Sequence, residues 1–261
     1  MKKTVFPIVL PLFALMFILS CGKRDVEEPA ENPILPSLMS ELRGPTEPVG
    51  NSMVIWMSEY FDDIRPLCGG SFSGTFYNGA ERINAGSLLI GGQSVPYLNS
   101  GKQYQKQVGG DYTNSPVICG LYGSNVNASV SGNLVFPATN GNIYLPKKMQ
   151  VTAGLSSGYF SKSSNLVLNW QADPTNPNGK VYIIIATDLP GSQPNPSAIV
   201  IETADDGNHV VSSSNFSQFQ TGGTAVVHCG RGNIATIMQG SQKIEVTALV
   251  DARAGQLDVV D

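Results

Sequence analysis

Charge is scarce in this chain. Lysine, arginine, aspartate and glutamate make up 14 % of its 261 residues, against about 25 % in ordinary soluble domains. The net charge is −4 and no basic stripe interrupts it, so a nucleic-acid partner has no electrostatic footprint here. Histidine occurs only at His209 and His228. No Cys-x-x-Cys pair is present, which leaves redox and zinc motifs of that kind unsupported. There is no Walker loop and no Gly-x-Gly-x-x-Gly between a strand and a helix, so no cofactor is expected. Past the first twenty residues, no long stretch repeats apolar residues with a helical period.

What is abundant is glycine, with 28 residues, and proline, with 17. Together with frequent Asn, Ser and Thr they punctuate short apolar runs, as in turn-rich β-proteins outside the cytoplasm.

The leader is the most informative segment. Lys2 and Lys3 precede an apolar run from Val5 to Leu19. That run is shorter than the ~20 residues of a spanning helix, and Pro7 and Pro11 weaken it further. A charged-then-apolar leader of this length reads as an export signal covering residues 1–20. Ile18-Leu19-Ser20-Cys21 closes it and resembles the lipobox of bacterial lipoproteins. The resemblance implies cleavage before Cys21, acylation of that cysteine and attachment to a membrane through the N-terminal lipid. Two or more acyl chains at ~0.8 kcal/mol per buried CH2 anchor stably, where one does not. Gly22 follows, where the enterobacterial rule reads aspartate as inner-membrane retention, so outer-membrane sorting is implied. The acidic stretch beyond it resembles the surface-export signal of Bacteroidetes lipoproteins. A periplasmic or surface-facing envelope protein is therefore expected.

Residues 21–50 read as a lipidated, flexible tether. Gly22 to Pro29 is charged, and prolines recur at 33, 36, 45 and 48. Such a stretch buries too little apolar surface to offset its ordering entropy. As a flexible chain it would span about 30 Å.

Cys68, Cys119 and Cys229 remain for an oxidising compartment. One disulfide plus one buried thiol is the simplest arrangement. Cys68–Cys119 is the preferred bridge, because both stand in glycine-rich settings within one expected domain; three unpaired buried cysteines are the alternative.

The folded part is expected from residue 51 as two β-sandwich domains, 51–146 and 147–261. Val54-Ile55-Trp56-Met57 suits a strand or a short helix, and periodicity does not decide between them. Asn78-Gly79 predicts a type I′ hairpin, and Ser87 to Ile90 predicts a strand running into Gly91-Gly92. Asn133 to Phe136 predicts another strand, followed by Asn140-Gly141 and Ile143 to Leu145. Leu166, Leu168 and Trp170 alternate with Val167 and Asn169, the period of a strand with one core face. Val181 to Ile185 is apolar throughout and expected to be covered on both faces. Thr224 to Cys229, ending near Arg231-Gly232-Asn233, and Lys243 to Leu249 close the series. Over residues 150–250 this order resembles a fibronectin-III or immunoglobulin-like sandwich, although no tyrosine corner is evident. A fold resemblance of that kind carries no function by itself.

Candidate chemistry is sparse. Gly154-Leu155-Ser156-Ser157-Gly158 matches the nucleophile elbow of α/β-hydrolases, but no helix period follows it, so a linker is expected. His209, His228, Cys229, Asp205 and Asp206 could be imagined as metal ligands, yet they lack tight ligand pairing. Asp173 to Gly179 superficially resembles a calcium loop, with two prolines inside it and no EF-hand spacing. Asp62-Asp63 and Asp205-Asp206 point their adjacent side chains apart in extended chain, unlike a glycosidase pair. Tyr97, Tyr104, Tyr112 and Tyr122, set among Asn, Gln, Gly and Asp111, offer aromatic faces beside amides, as sugar contacts require. Ordinary half-buried strand residues are the competing reading for them. No catalytic or metal residue is assigned. The expectation is an all-β, non-catalytic outer-membrane lipoprotein that binds or scaffolds, with a glycan or an envelope protein as partner. A structural spacer in an envelope assembly and a small hydrolase are the alternatives.

Overall fold

The structure is a computed structural model that describes residues 50–61, 66–111, 113–176, 179–187 and 198–261. The lipobox with Cys21, the tether up to residue 49, Asp62-Asp63 and Tyr112 lie outside them.

The described chain is nearly all β, with a sandwich-like layering. Its strands are β1 (Asn51–Phe61), β2 (Pro66–Asn78), β3 (Glu81–Ile83), β4 (Leu88–Ile90), β5 (Gln93–Val95) and β6 (Tyr97–Leu98). There follow β7 (Gln103–Gly109), β8 (Ser124–Val130), β9 (Thr139–Leu145), β10 (Val151–Ala153), β11 (Tyr159–Ser161) and β12 (Leu166–Trp170). The last are β13 (Lys180–Thr187), β14 (Ala198–Ala204), β15 (Asn208–Val211), β16 (Thr224–Gln239) and β17 (Gln242–Val260). One short α-helix, α1 (Ser115–Cys119), and one turn of 3-10 helix (Ser213–Phe216) interrupt the described strands.

One large sheet organises the molecule. Its strand order is β14-β13-β16-β17-β1-β2-β7-β6, with β11 also paired to β17 and β3 to β2. The expected boundary between residues 146 and 147 falls between β9 and β10, and the large sheet crosses it. There β1 runs parallel to β17, with Met53 beside Val246 and Ile55 beside Ala248. Parallel partners need a long connection, and here it runs from residue 62 to residue 241. Met53, Ile55 and Met57 share a face with Val246, Ala248 and Val250, all buried at 2 % exposure or less. Two smaller sheets, β5-β4-β8-β9 and β10-β12-β15, contribute Leu88, Ile90, Val126, Leu168 and Trp170 to the same core.

The alternation in β12 places Leu166, Leu168 and Trp170 inward while Val167 is exposed. In β13, Val181 to Ile185 are all buried. Val181, Ile183 and Ile185 join the main core, whereas Tyr182 and Ile184 join a second cluster with Leu249, Val54, Trp56 and Val200. Strand β16 does not stop near Asn233. It pairs with β17 as far as Gln239, opposite Gln242, in a long hairpin. Cys68 and Cys119 form a disulfide tying α1 to β2, and Cys229 is a free, buried thiol.

Three local expectations change. The β2–β3 turn is Gly79-Ala80, since Asn78 pairs with Glu81. Only Gly79 of that pair has positive φ, so this is not the type I′ form; Gly91-Gly92, both positive, does meet its requirement. Asn133 to Phe136 is not a strand. The Asn133 carboxamide accepts the N–H groups of Val135 at 2.9 Å and Phe136 at 3.0 Å, folding the segment as an Asx-type loop. That loop buries Phe136 and leaves Leu134 and Val135 exposed. Gly141 belongs to strand β9, opposite Ala128, rather than to a turn, and the Ile237 side chain of the long hairpin fills the space where its Cβ would stand.

Candidate functional site

The outer face of the four-stranded sheet carries an open depression of about 430 Å³. Pairing explains its floor. Leu89 of β4 stands opposite Ser129 of β8, which stands opposite Asn140 of β9. Antiparallel partners in direct register point to the same side, so these three side chains form one row across the sheet. Ser87, Ser131 and Thr139 flank the row, and Gln239 reaches over it from the end of β16. Leu89 is 42 % exposed and supplies an apolar patch. Beside it, the exposed Asn127 carboxamide donates to Asn142 Oδ1 at 3.1 Å and to the Gly141 carbonyl at 3.3 Å. The lining is hydroxyl, amide and alkyl, and none of its residues titrates near neutral pH. Such a surface can hydrogen-bond a neutral polyhydroxylated ligand but offers no acid or base to it. Sequence reasoning passed over these residues. The available signal was Asn125-x-Asn127-x-Ser129, a period-two polar pattern that marks the solvent side of β8.

Among the described residues, Tyr97, Tyr104 and Tyr122 do not assemble into one exposed platform. Tyr104 is a core residue at 1 % exposure, which corrects its assignment as a sugar contact. Its hydroxyl accepts the Ala85 N–H at 2.8 Å and lies 2.6 Å from the Gly86 carbonyl. Burial raises its pKa. Tyr97 is half-buried and packs edge-on against Tyr104, with centroids 5.1 Å apart. Tyr122, also half-buried, donates to the Ser58 carbonyl at 3.2 Å, and Lys148 Nζ sits 5.5 Å from its ring centre.

A buried polar cluster lies between the large sheet and the β10-β12-β15 sheet. Arg231 is fully buried on the inner face of β16. Its Nη2 donates to the Gln171 carbonyl at 2.6 Å, its Nε points at Met149 Sδ at 3.3 Å, and its Nη1 faces Asp205 Oδ2 at 3.4 Å. Burial lowers the guanidinium pKa, while Asp205, then Asp173, then Tyr144 counteract it. Asp205 also accepts from Trp170 Nε1 at 2.8 Å and from the Asp173 N–H at 3.2 Å. Asp173 in turn accepts from Tyr144 Oη at 3.0 Å, from the Lys147 N–H at 2.9 Å and from the Thr175 N–H at 3.2 Å. The carboxylates that opened a calcium-like loop and an acidic turn are thus consumed inside the protein. An arginine so placed is held by desolvated partners, each of which loses heavily if another is removed.

On the opposite face of the large sheet, Ser58 and Asp251 are direct neighbours across the parallel β1–β17 pair. His228 Nδ1 lies 3.8 Å from Asp251 Oδ1. Ser58 Oγ, His228 Nδ1 and Thr247 Oγ1 are buried without hydrogen-bond partners. The register places Asp251 between the serine and the histidine, the reverse of a nucleophile–base relay, in which the histidine stands in the middle.

Ser156 occupies the exposed turn between β10 and β11, joining strand to strand. The elbow requires strand to helix. His209 lies on β15 opposite Leu168, away from His228 on β16. Among the described residues no three of His, Cys, Asp and Glu converge as a metal site. The sequence matches no protein-family model and no curated protein at a significant level.

Proposed function

We propose that this chain is a lipid-anchored, non-catalytic envelope protein that acts as a binding or scaffolding module, with a glycan as its ligand. The lipobox-like Ile18-Leu19-Ser20-Cys21 supports an anchor at the outer membrane, and the charged, proline-rich segment after it supports a tether that holds the β structure off the surface. The strand pattern over residues 150–250 supports a fibronectin-III or immunoglobulin-like reading of that part. The observation that carries the binding reading is the contrast between the two polar regions. Arg231, Asp205 and Asp173 are buried and committed to one another and to main-chain groups, whereas the open depression presents Ser87, Ser129, Asn140 and Gln239 around Leu89. Hydroxyls and amides around an apolar patch recognise a sugar ring through its hydroxyls and its C–H face.

A polysaccharide array probed with the detergent-solubilised protein tests this reading. Binding to particular neutral glycans is expected, and the Asn140→Ala/Gln239→Ala double variant should lose it without a change in unfolding midpoint. Absence of binding to any glycan argues for the spacer reading instead, and binding that ignores both substitutions places the glycan site away from this depression.

A further inference from the structure

Most strands at the margins of the sheets are guarded. Strands β3, β5, β10 and β11 have three residues each, β6 has two and β15 four, and short edges are poor templates for pairing. Strand β9 has seven residues, but its flank meets the long hairpin, where Asn233 Nδ2 donates to the Tyr144 carbonyl at 2.8 Å and Ile237 fills the gap at Gly141. Strand β14 differs. Among the described residues it ends the ten-stranded sheet, has β13 as its only strand partner and runs for seven residues, Ala198-Ile-Val-Ile-Glu-Thr-Ala204, with Gln218 Nε2 donating to the Ala198 carbonyl at 3.2 Å at its start.

Its composition is that of a strand awaiting a neighbour. Ile199, Val200 and Ile201 are consecutive β-branched residues, all half-buried, so apolar surface is left open at the margin of the core. Edge strands are normally protected by charge, and β14 has one charged residue, Glu202. That charge is compensated from within by Lys180 Nζ at 2.6 Å. The edge therefore presents little electrostatic resistance to an approaching strand.

The strand is also close to palindromic. Read in either direction it runs small, β-branched, variable, Ile, variable, β-branched, small. In antiparallel pairing about a two-fold axis at Ile201, Ile201 meets its own copy and Ile199 meets Thr203 on the core side. On the other side Val200 meets Glu202 and Ala198 meets Ala204, so no like charges face each other. A strand that is its own complement suits an isologous dimer, in which one patch serves both partners. We infer that β14 is a self-association edge, where a second copy of this chain adds its β14 antiparallel and continues the large sheet. The dimer goes beyond the anchoring and glycan reading and stands independently of it.

The test uses the full chain in detergent. Sedimentation should show a dimer that dissociates on dilution, and Val200→Glu, which sets a second carboxylate opposite the partner's Glu202, should abolish it without altering the circular-dichroism spectrum. Ile201→Cys should form a reducible covalent dimer under mild oxidation, while the parent chain and a Leu98→Cys control on β6 should not. A parent chain that is monomeric at every concentration overturns the inference. So does a dimer that survives Val200→Glu, because the contact would then lie elsewhere. Should Ile201→Cys fail to fold, sedimentation of the parent chain and of Val200→Glu still decides the matter.

Discussion

The indole of Trp170 and the carboxylate of Asp205 are joined by a 2.8 Å hydrogen bond, with the indole donating. The other oxygen of that carboxylate faces the guanidinium of Arg231, which is fully buried. One acid therefore ties the core of the small sheet to the central strands of the large one. Trp170→Ala should cost about 3–5 kcal/mol, as large-to-small core changes do. Asp205→Asn keeps the volume but leaves Arg231 without its closest counter-charge, and should cost a similar ~3–5 kcal/mol. Trp170→Phe retains much of the apolar contact and forfeits the donor, for about 1–3 kcal/mol. Urea unfolding at constant slope measures all three, and a cost for Asp205→Asn below that of Trp170→Phe would show that the acid is not the hub.

The cysteines should separate by chemistry. Burial, with a further push from Asp251, raises the Cys229 thiol to about 12, so the nucleophilic thiolate is almost absent at neutral pH. Iodoacetamide should leave Cys229 unmodified in the native protein and label it after unfolding. The Cys68–Cys119 bridge spans a sequence separation of 51 residues, and replacing both cysteines by serine should destabilise the fold by about 4 kcal/mol on the loop-entropy estimate.

Asp111 gives a pH signature. Its carboxylate accepts the Asn114 N–H, the Thr113 hydroxyl, the Asn114 carboxamide and the Thr113 N–H. Led by the Asn114 N–H, these bonds lower its pKa. Because the folded value lies below the unfolded one, the loop's stabilisation is present above the ordinary aspartate pKa and is lost as pH falls through the depressed one. NMR titration should place its midpoint below that of an exposed aspartate, and Thr113→Ala should move it part of the way back.

Ser156 should be inert. Fluorophosphonate probes label serines activated by a neighbouring base, and this one sits on an exposed strand-to-strand turn. No labelling of the purified protein is expected. Stoichiometric labelling that disappears in Ser156→Ala would favour the hydrolase alternative.

Where one physical rule dominates, the sequence was a good guide. Alternation in Leu166-x-Leu-x-Trp170 located the core face of β12, and the unbroken apolar run at Val181–Ile185 located a strand covered on both sides. Asn133–Phe136 misled because a side-chain amide competes locally with sheet pairing, and apolar content alone does not reveal that. The ten-stranded sheet was illegible for a different reason. The partner of β1 is β17, almost two hundred residues away, and period-two patterning fixes which face a strand buries without saying beside which strand it lies. The candidate depression is equally non-local, since Leu89, Ser129, Asn140 and Gln239 come from four strands. Tyr104 was misread because a buried hydroxyl held by the Ala85 N–H and the Gly86 carbonyl has the same letter in the sequence as an exposed one.

Everything proposed about where this protein works depends on Cys21. Metabolic labelling with a radioactive or clickable fatty acid, comparing the parent chain with Cys21→Ser, tests it in one gel. The account predicts label in the membrane-bound parent and none in Cys21→Ser, which should be retained uncut or released in soluble form. Label still present in Cys21→Ser, or absent from the parent, would contradict the lipid anchor and with it the envelope role.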